Sequence, residues 1–162
     1  MKKTIYILAV LCSVSLSGQS LKKLLKKYNT ESVAYASVAF VKANSSFVLL
    51  DAREQKEYDV SHLKNAIQVG YDHFDLAKTT SKLTDKNATI VVYCSVGIRS
   101  EDIAEKLQKA GYTNVFNLYG GIFEWKNKQN IVVDSLNNPT EKIHTFSKEW
   151  STWLKKGIKV YE

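Results

Sequence analysis

The sequence is poor in the residues that build stapled or metal-held folds. Of its 162 residues two are cysteines, three are histidines and one is proline. Cys12 and Cys94 cannot form a disulfide framework, and His62, His73 and His144 are scattered without metal-ligand spacing, so a stapled mini-protein and a zinc module are excluded. The seven glycines fall in no repeat, which removes a collagen-like reading. Long apolar runs are missing too: none approaches the roughly 20 residues that cross a bilayer, so no retained membrane span is expected. What is present is an ordinary globular mixture, 44% hydrophobic, 24% charged and 11% aromatic. A chain of this length forms one domain that buries roughly two thirds of its unfolded surface.

Lys2 and Lys3 precede an apolar run from Ile5 to Val14, and the small residues Ser15, Ser17 and Gly18 follow. Charge, apolar run and small residues in that order mark a secretory leader over residues 1–18, with export, into a bacterial periplasm, as its consequence. Cys12 follows Leu11 rather than a small residue, which disfavours a lipid-attachment signal. Removal of the leader takes Lys2, Lys3 and Cys12 with it and leaves 21 basic residues against 16 acidic ones, a net charge of +5. Cys94 then stands alone, as a spare core residue, an intermolecular partner or a reactive nucleophile. Lysine supplies nearly all the positive charge without interleaved stacking aromatics, so no nucleic-acid partner is expected. The charge says only that anions are not repelled.

Leu21, Leu24, Leu25 and Tyr28 fall at helical spacing between lysines, which predicts an amphipathic helix within residues 19–32 that leads into the domain at 33–133. Strands are predicted at 33–36, 47–50, 67–69, 89–93 and 115–118, with helices at 38–43, 74–83 and 100–110 between them. The last of these carries Glu101 and Asp102 in its first turn and Gly111 where a C-terminal cap belongs. Apolar strands alternating with helices imply an α/β fold with a parallel sheet covered on both faces, whose functional crevice lies at the carboxyl ends of the strands. Asp51 and Cys94 sit at such ends. Residues 134–162 add a turn-rich link and then Phe146, Trp150, Trp153 and Leu154 at the spacing of an aromatic C-terminal helix. That helix either packs on the domain or docks a partner protein.

The segment Tyr93-Cys-Ser-Val-Gly-Ile-Arg-Ser100 joins the most β-branched strand to the best-capped helix. Converging loop amides, the positive end of the helix and the Arg99 guanidinium all favour negative charge at the Cys94 sulfur. Gly97 permits backbone angles that a side chain would forbid. The chain places arginine only at Arg53 and Arg99, one just past a strand end and one closing this loop. Arginine's planar fork is the usual choice where carboxylates or carbonyls must be held in fixed geometry, so both positions look specified.

Several motifs in order resemble the rhodanese-like (sulfurtransferase) domains across residues 33–133. Val48-Leu-Leu-Asp-Ala-Arg-Glu54 with Glu57 and Tyr58 is similar to the family's D-x-R-E-x-x-E-Y segment, and Ser61-His-Leu-Lys-Asn-Ala-Ile67 to its G-H-I-x-G-A-x stretch. Cys94 to Ser100 is similar to the active loop C-x-x-G-x-R-S, and residues 111–122 with Trp125 to the closing G-x-x-x-V-x-x-L-x-G-G segment. Ser61, Asn65 and the Gln129-Asn130 pair replace glycines common in the family, which puts local backbone shape in doubt rather than chemistry.

The resemblance implies a five-stranded parallel sheet flanked by helices and a Cys94 that accepts a sulfane sulfur from a small anionic donor such as thiosulfate. The resulting persulfide passes its outer sulfur to a thiophilic acceptor, cyanide or a thiol or protein. Ser95, Val96, Gly97, Ile98, Arg99 and Ser100 form the binding loop, and no metal or organic cofactor is implied. Asp51 and Arg53 brace the loop; His62 makes structural hydrogen bonds rather than transferring protons; Glu54 and Glu57 are helix-start charges. Trp125 reads as core and Gly120-Gly121 as a turn. A monomer is expected. A cysteine phosphatase needs five residues between its Cys and Arg, whereas four separate Cys94 from Arg99, and a thiol–disulfide oxidoreductase lacks its second cysteine. The alternative of a different class is a non-turnover binding or sulfur-carrier module that docks a partner protein.

Overall fold

The computed structural model describes residues 15–161, with side chains from residue 21 onward. Residues 1–14, most of the expected leader, lie outside the described residues. The remainder of that expected segment, 15–18, begins helix α1, Ser15–Tyr28.

Five strands make one parallel sheet: β1 Tyr35–Ala36, β2 Val48–Asp51, β3 Ile67–Gln68, β4 Ile90–Tyr93 and β5 Val115–Leu118. Their spatial order is β1-β5-β4-β2-β3. Strand β4 sits at the centre and is buried along its whole length, as a strand covered on both faces must be. Its side chains alternate between two cores. Val91 and Tyr93 pack with Val38, Val41, Ile122 and Phe123 on one face. Ile90, Val92 and Cys94 pack with Ile103, Ala104, Leu107 and Tyr112 on the other. Helices α2 Val38–Lys42 and α6 Gly121–Asn127 therefore cover the first face, and α5 Arg99–Lys109 covers the second. The two central strands run in register, Asp51 beside Tyr93, so Asp51 and Cys94 emerge at the same carboxyl edge.

Local chemistry sets the element ends. Ser37 caps α2 by accepting from the Phe40 N–H. Helix α3, Gln55–Val60, starts on a reciprocal capping box between Glu54 and Glu57. Helix α5 ends before Gly111, whose φ of +91° is the left-handed turn expected there. The predicted 74–83 helix is shorter: α4 spans Leu76–Thr80, because Asp75 caps it from outside and the Thr80 and Ser81 hydroxyls donate to the Ala77 and Lys78 carbonyls. Asn65 and Gln129 take φ of +63° and +60°, doing with side chains what the family's glycines do without them. Ser61 at φ −172° is extended and needs no glycine.

The C-terminal helix is not an α-helix. The turn-rich link is a hairpin between β6 Val132–Val133 and β7 Pro139–Thr140, held by Asp134 accepting from the Leu136 and Asn138 N–H groups. Strands β8 Lys142–His144 and β9 Ile158–Val160 then pair in parallel, and the segment between them holds one 3-10 turn, Trp150–Trp153. Phe146 is in the left-handed region at φ +65°, so it cannot begin a helix, and the Ser151 and Thr152 hydroxyls donate to carbonyls three residues back. Trp150, Trp153 and Leu154 nevertheless pack on the first core.

Arg53 and Asp51 form an ion pair with no exposed surface on either side chain. Arg53 Nε donates to Asp51 Oδ1 at 2.9 Å and Nη2 to Oδ2 at 2.6 Å, and Nη2 also reaches the Ser61 carbonyl at 2.7 Å. Arg53→Met strands the Asp51 carboxylate in the interior, and the expected loss is about 3–5 kcal/mol in urea unfolding. Removing both charges with Asp51→Asn in addition is expected to recover part of that loss.

Candidate active site

Cys94 lies immediately past the end of β4 with 1% of its surface exposed. It forms the floor of a cavity of about 220 Å³ lined also by Ser95, Val96, Ile98, Arg99, Phe146 and Trp150. The loop from Cys94 to Arg99 closes over the sulfur. The Gly97 N–H donates to Cys94 Sγ at 3.2 Å, and Ser100 Oγ stands 3.5 Å from it. The Gly97 carbonyl accepts from Asn29 Nδ2 and Asn117 Nδ2, both at 2.8 Å, so two side chains fix the residue whose N–H faces the sulfur. Gly97 has φ +102°, and a Cβ there would lie 3.2 Å from the Leu118 carbonyl.

Ser100 Oγ is also 2.7 Å from Asn117 Oδ1. A hydroxyl has one proton, so it donates either to Asn117 or to the sulfur. Beside a neutral thiol the shorter Asn117 bond holds that proton; beside a thiolate or persulfide anion the hydroxyl can rotate toward sulfur.

The far side of the loop is held by the Gly120-Gly121 turn. The Ile122 N–H donates to the Cys94 carbonyl at 2.9 Å and the Phe123 N–H to the Ser95 carbonyl at 3.1 Å. A Cβ on Gly121 would fall 2.2 Å from the Cys94 carbonyl oxygen, so the turn must be glycine for a reason of contact as well as of conformation.

Arg99 does not face the loop centre as a free cation. Its Nη1 and Nη2 donate to Glu57 Oε2 and Oε1, both at 2.8 Å, and Nη2 reaches Ser95 Oγ at 3.2 Å. Glu57 is therefore more than a helix-start charge: it is fully buried and anchors α3 to the loop. Burial pushes the Glu57 carboxyl up, but the Arg99 hydrogen bonds and the charges of Arg99 and Arg53 outweigh it and hold it below its ordinary 4.5. For Arg99, burial works against the charge, and the Glu57 bonds with negative charge at Cys94 more than offset it, so the guanidinium is held more firmly protonated than usual.

The expected residues Cys94 to Ser100 are thus brought together at one cavity. Asp51 and Arg53 lie behind it, linked to β4 by the Ala52 N–H on the Tyr93 carbonyl and by the guanidinium 5.7 Å from the Tyr93 ring. His62 is buried, stacked on Tyr58, with Nδ1 3.0 Å from the Tyr58 carbonyl, and is not a lining residue of the cavity. Trp125 is partly buried against the first core and donates to the Ile131 carbonyl. The sequence does not reveal Asn29, Asn117 or the Glu57 pairing, and it does not place Phe146 and Trp150 at the cavity beside Cys94. A signal existed for Asn117, a polar residue inside the otherwise apolar strand Val-Phe-Asn-Leu.

Because the folded Glu57 carboxyl ionises below its unfolded value, its contribution is complete above about pH 4.5 and is lost as pH falls through its folded value. Glu57→Gln is expected to unfold with a shallower loss of stability on acidification below pH 4.5 than the parent. Equal slopes in denaturant titrations across that range contradict this assignment.

Residues 20–128 match the rhodanese-like domain. Thiosulfate sulfurtransferase GlpE of Coxiella burnetii is 36% identical over 81 residues, which cover 49% of this chain and 71% of that protein. The tRNA uridine(34) hydroxylase of Aster yellows witches'-broom phytoplasma is 40% identical over 81 residues, covering 48% of this chain and only 26% of that longer protein. Among solved structures, a rhodanese-related protein from Thermoplasma volcanium superposes with TM-score 0.54 at 25% identity, over 62% of this chain and 97% of that one. A thiosulfate sulfurtransferase from Pseudomonas aeruginosa gives TM-score 0.59 at 19% identity, over 85% of this chain and 26% of that one, and speaks for the fold alone. With its parallel sheet, its cysteine loop and this match over most of its length, the chain belongs to the rhodanese-like domain family.

Proposed function

We propose that this protein is a sulfurtransferase that carries a sulfane sulfur as a persulfide on Cys94. The observation that carries the reading is the sulfur itself, at the floor of a cavity with the Gly97 N–H directed onto it and Ser100 Oγ within reach. The Cys94 thiolate attacks the outer sulfur of a donor such as thiosulfate; the new S–S bond forms as the donor's S–S bond breaks, and sulfite leaves with the electron pair. The product, a Cys94 persulfide anion, lies in the same loop, where the Gly97 amide and a rotated Ser100 hydroxyl stabilise the charge. A thiophilic acceptor then takes the outer sulfur and returns the thiolate.

The other residues of the reading act through that loop. Ser95 binds Arg99, Val96 and Ile98 wall the cavity, and Asp51 and Arg53 brace the strand end. Cyanide serves as the test acceptor, and a thiol or a protein as the natural one. Lys2, Lys3 and the apolar run to Val14 support an exported location as part of the same reading. Against a phosphatase stands the pairing of Arg99 with both oxygens of Glu57, which leaves its fork committed elsewhere than the centre of the loop.

The test is steady-state thiocyanate formation from thiosulfate and cyanide. The parent protein is expected to turn over and Cys94→Ser to fall to background; equal rates in the two would refute the reading. Ser100→Ala is expected to slow turnover about tenfold, the equivalent of ~1.4 kcal/mol in the barrier, while leaving the fold intact.

A further inference from the structure

Strand β5 reads Val-Phe-Asn-Leu, and its asparagine is out of character. Asn is depleted in strands, and a fully buried amide costs free energy unless its hydrogen bonds are made. Asn117 stands inside the sheet, in register with Tyr35 of β1 and Val92 of β4. Its side chain makes two bonds at the start of α5, and both partners also touch the sulfur. Nδ2 donates to the Gly97 carbonyl at 2.8 Å, and Oδ1 accepts from Ser100 Oγ at 2.7 Å. The Gly97 nitrogen stands 3.2 Å and Ser100 Oγ 3.5 Å from Cys94 Sγ. The amide has no freedom to flip. A carbonyl only accepts, so the edge of Asn117 that faces Gly97 is its NH2, and the edge that faces Ser100 is its oxygen. Ser100 is fully buried and has one hydroxyl proton, so a proton held on Asn117 leaves only oxygen lone pairs toward Cys94. Among the described residues Ser100 is the one donor to Asn117 Oδ1. The Gly97 carbonyl, by contrast, is held a second time by Asn29.

We infer that Asn117 is a positioning residue that restrains Cys94: by keeping the Ser100 proton on its own carbonyl oxygen, it withholds a second hydrogen bond from the sulfur. This rests on Cys94 being the reacting atom, as in the persulfide reading above. When the sulfur becomes anionic, the hydroxyl can turn to it only by giving up the Asn117 bond, which strands a buried acceptor. Attack by Cys94 is therefore slower than the two donors at the sulfur alone would allow. The restraint acts through the direction of one proton and requires no movement of the backbone.

The test is a double-mutant cycle on the rate of Cys94 alkylation by iodoacetamide, a small neutral reagent, read at the Cys94 peptide by mass. Asn117→Val places a strand-favouring side chain at the buried position and removes the acceptor, and it is expected to react about tenfold faster than the parent, the size set by one buried hydrogen bond. In a Ser100→Ala background the same substitution is expected to change the rate less than twofold, because no hydroxyl is left to release. Equal acceleration in both backgrounds would show a loosened loop instead of a freed proton and would overturn the inference. So would an Asn117→Val protein no faster than the parent. Asn117→Ala repeats the cycle if Asn117→Val fails to fold. Thiocyanate formation by the parent separates this from the persulfide reading: a cycle that behaves as expected in a protein without turnover supports the Asn117 assignment and removes sulfur transfer.

Discussion

A buried sulfur can face a cavity at the end of a parallel strand only if the chain turns sharply around it, and here Gly97 holds that turn through both of its flanking peptides. The Gly97 N–H points at Cys94 Sγ and the Gly97 carbonyl is clamped by Asn29, just past the end of α1, and Asn117 from β5. Three separate parts of the chain therefore converge on one residue. Leu25 of α1 packs beneath it, and Gly121 approaches the Cys94 carbonyl so closely that no side chain fits between them. The sheet, the entering helix and the closing turn are thereby tied to the position of a single sulfur atom.

The two arginines divide the electrostatic work. Arg53 is sealed with Asp51 behind the strands, where it fixes the β2 end and the Ser61 carbonyl. Arg99 is partly exposed and is held by Glu57, so the ion pair ties α3 to the loop. A buried charge left without its partner is costly, which makes each pair a positional constraint more than a source of net stability. The consequence at the cavity is a guanidinium fixed by Glu57, with the Gly97 amide and the Ser100 hydroxyl nearest the sulfur to answer the charge that forms there.

Much of this was legible in the residues. The apolar strand at 115–118 falls at the stated positions, the helix expected at 100–110 begins and ends one residue earlier, and the loop from Cys94 to Ser100 is continuous in sequence. Those are local signals: β-branched runs, first-turn acids and a terminating glycine. What escaped was non-local. Nothing near Asn29 says that it will meet a carbonyl 68 residues away. The spacing of Phe146, Trp150, Trp153 and Leu154 matches a helix, yet the pairing of β8 with β9 and the left-handed Phe146 override that period, and Phe146 and Trp150 line the cavity beside Cys94. The apolar pattern foresaw burial against the core but not which cavity the rings would wall.

The central claim is that Cys94 carries sulfur. The direct measurement is the intact mass of the purified protein after exposure to a sulfane donor, before and after cyanide, with Cys94→Ser alongside. A gain of one sulfur atom, removed by cyanide and absent in Cys94→Ser, is the predicted result. A protein that gains no sulfur from thiosulfate, or that gains it equally without Cys94, would contradict the account.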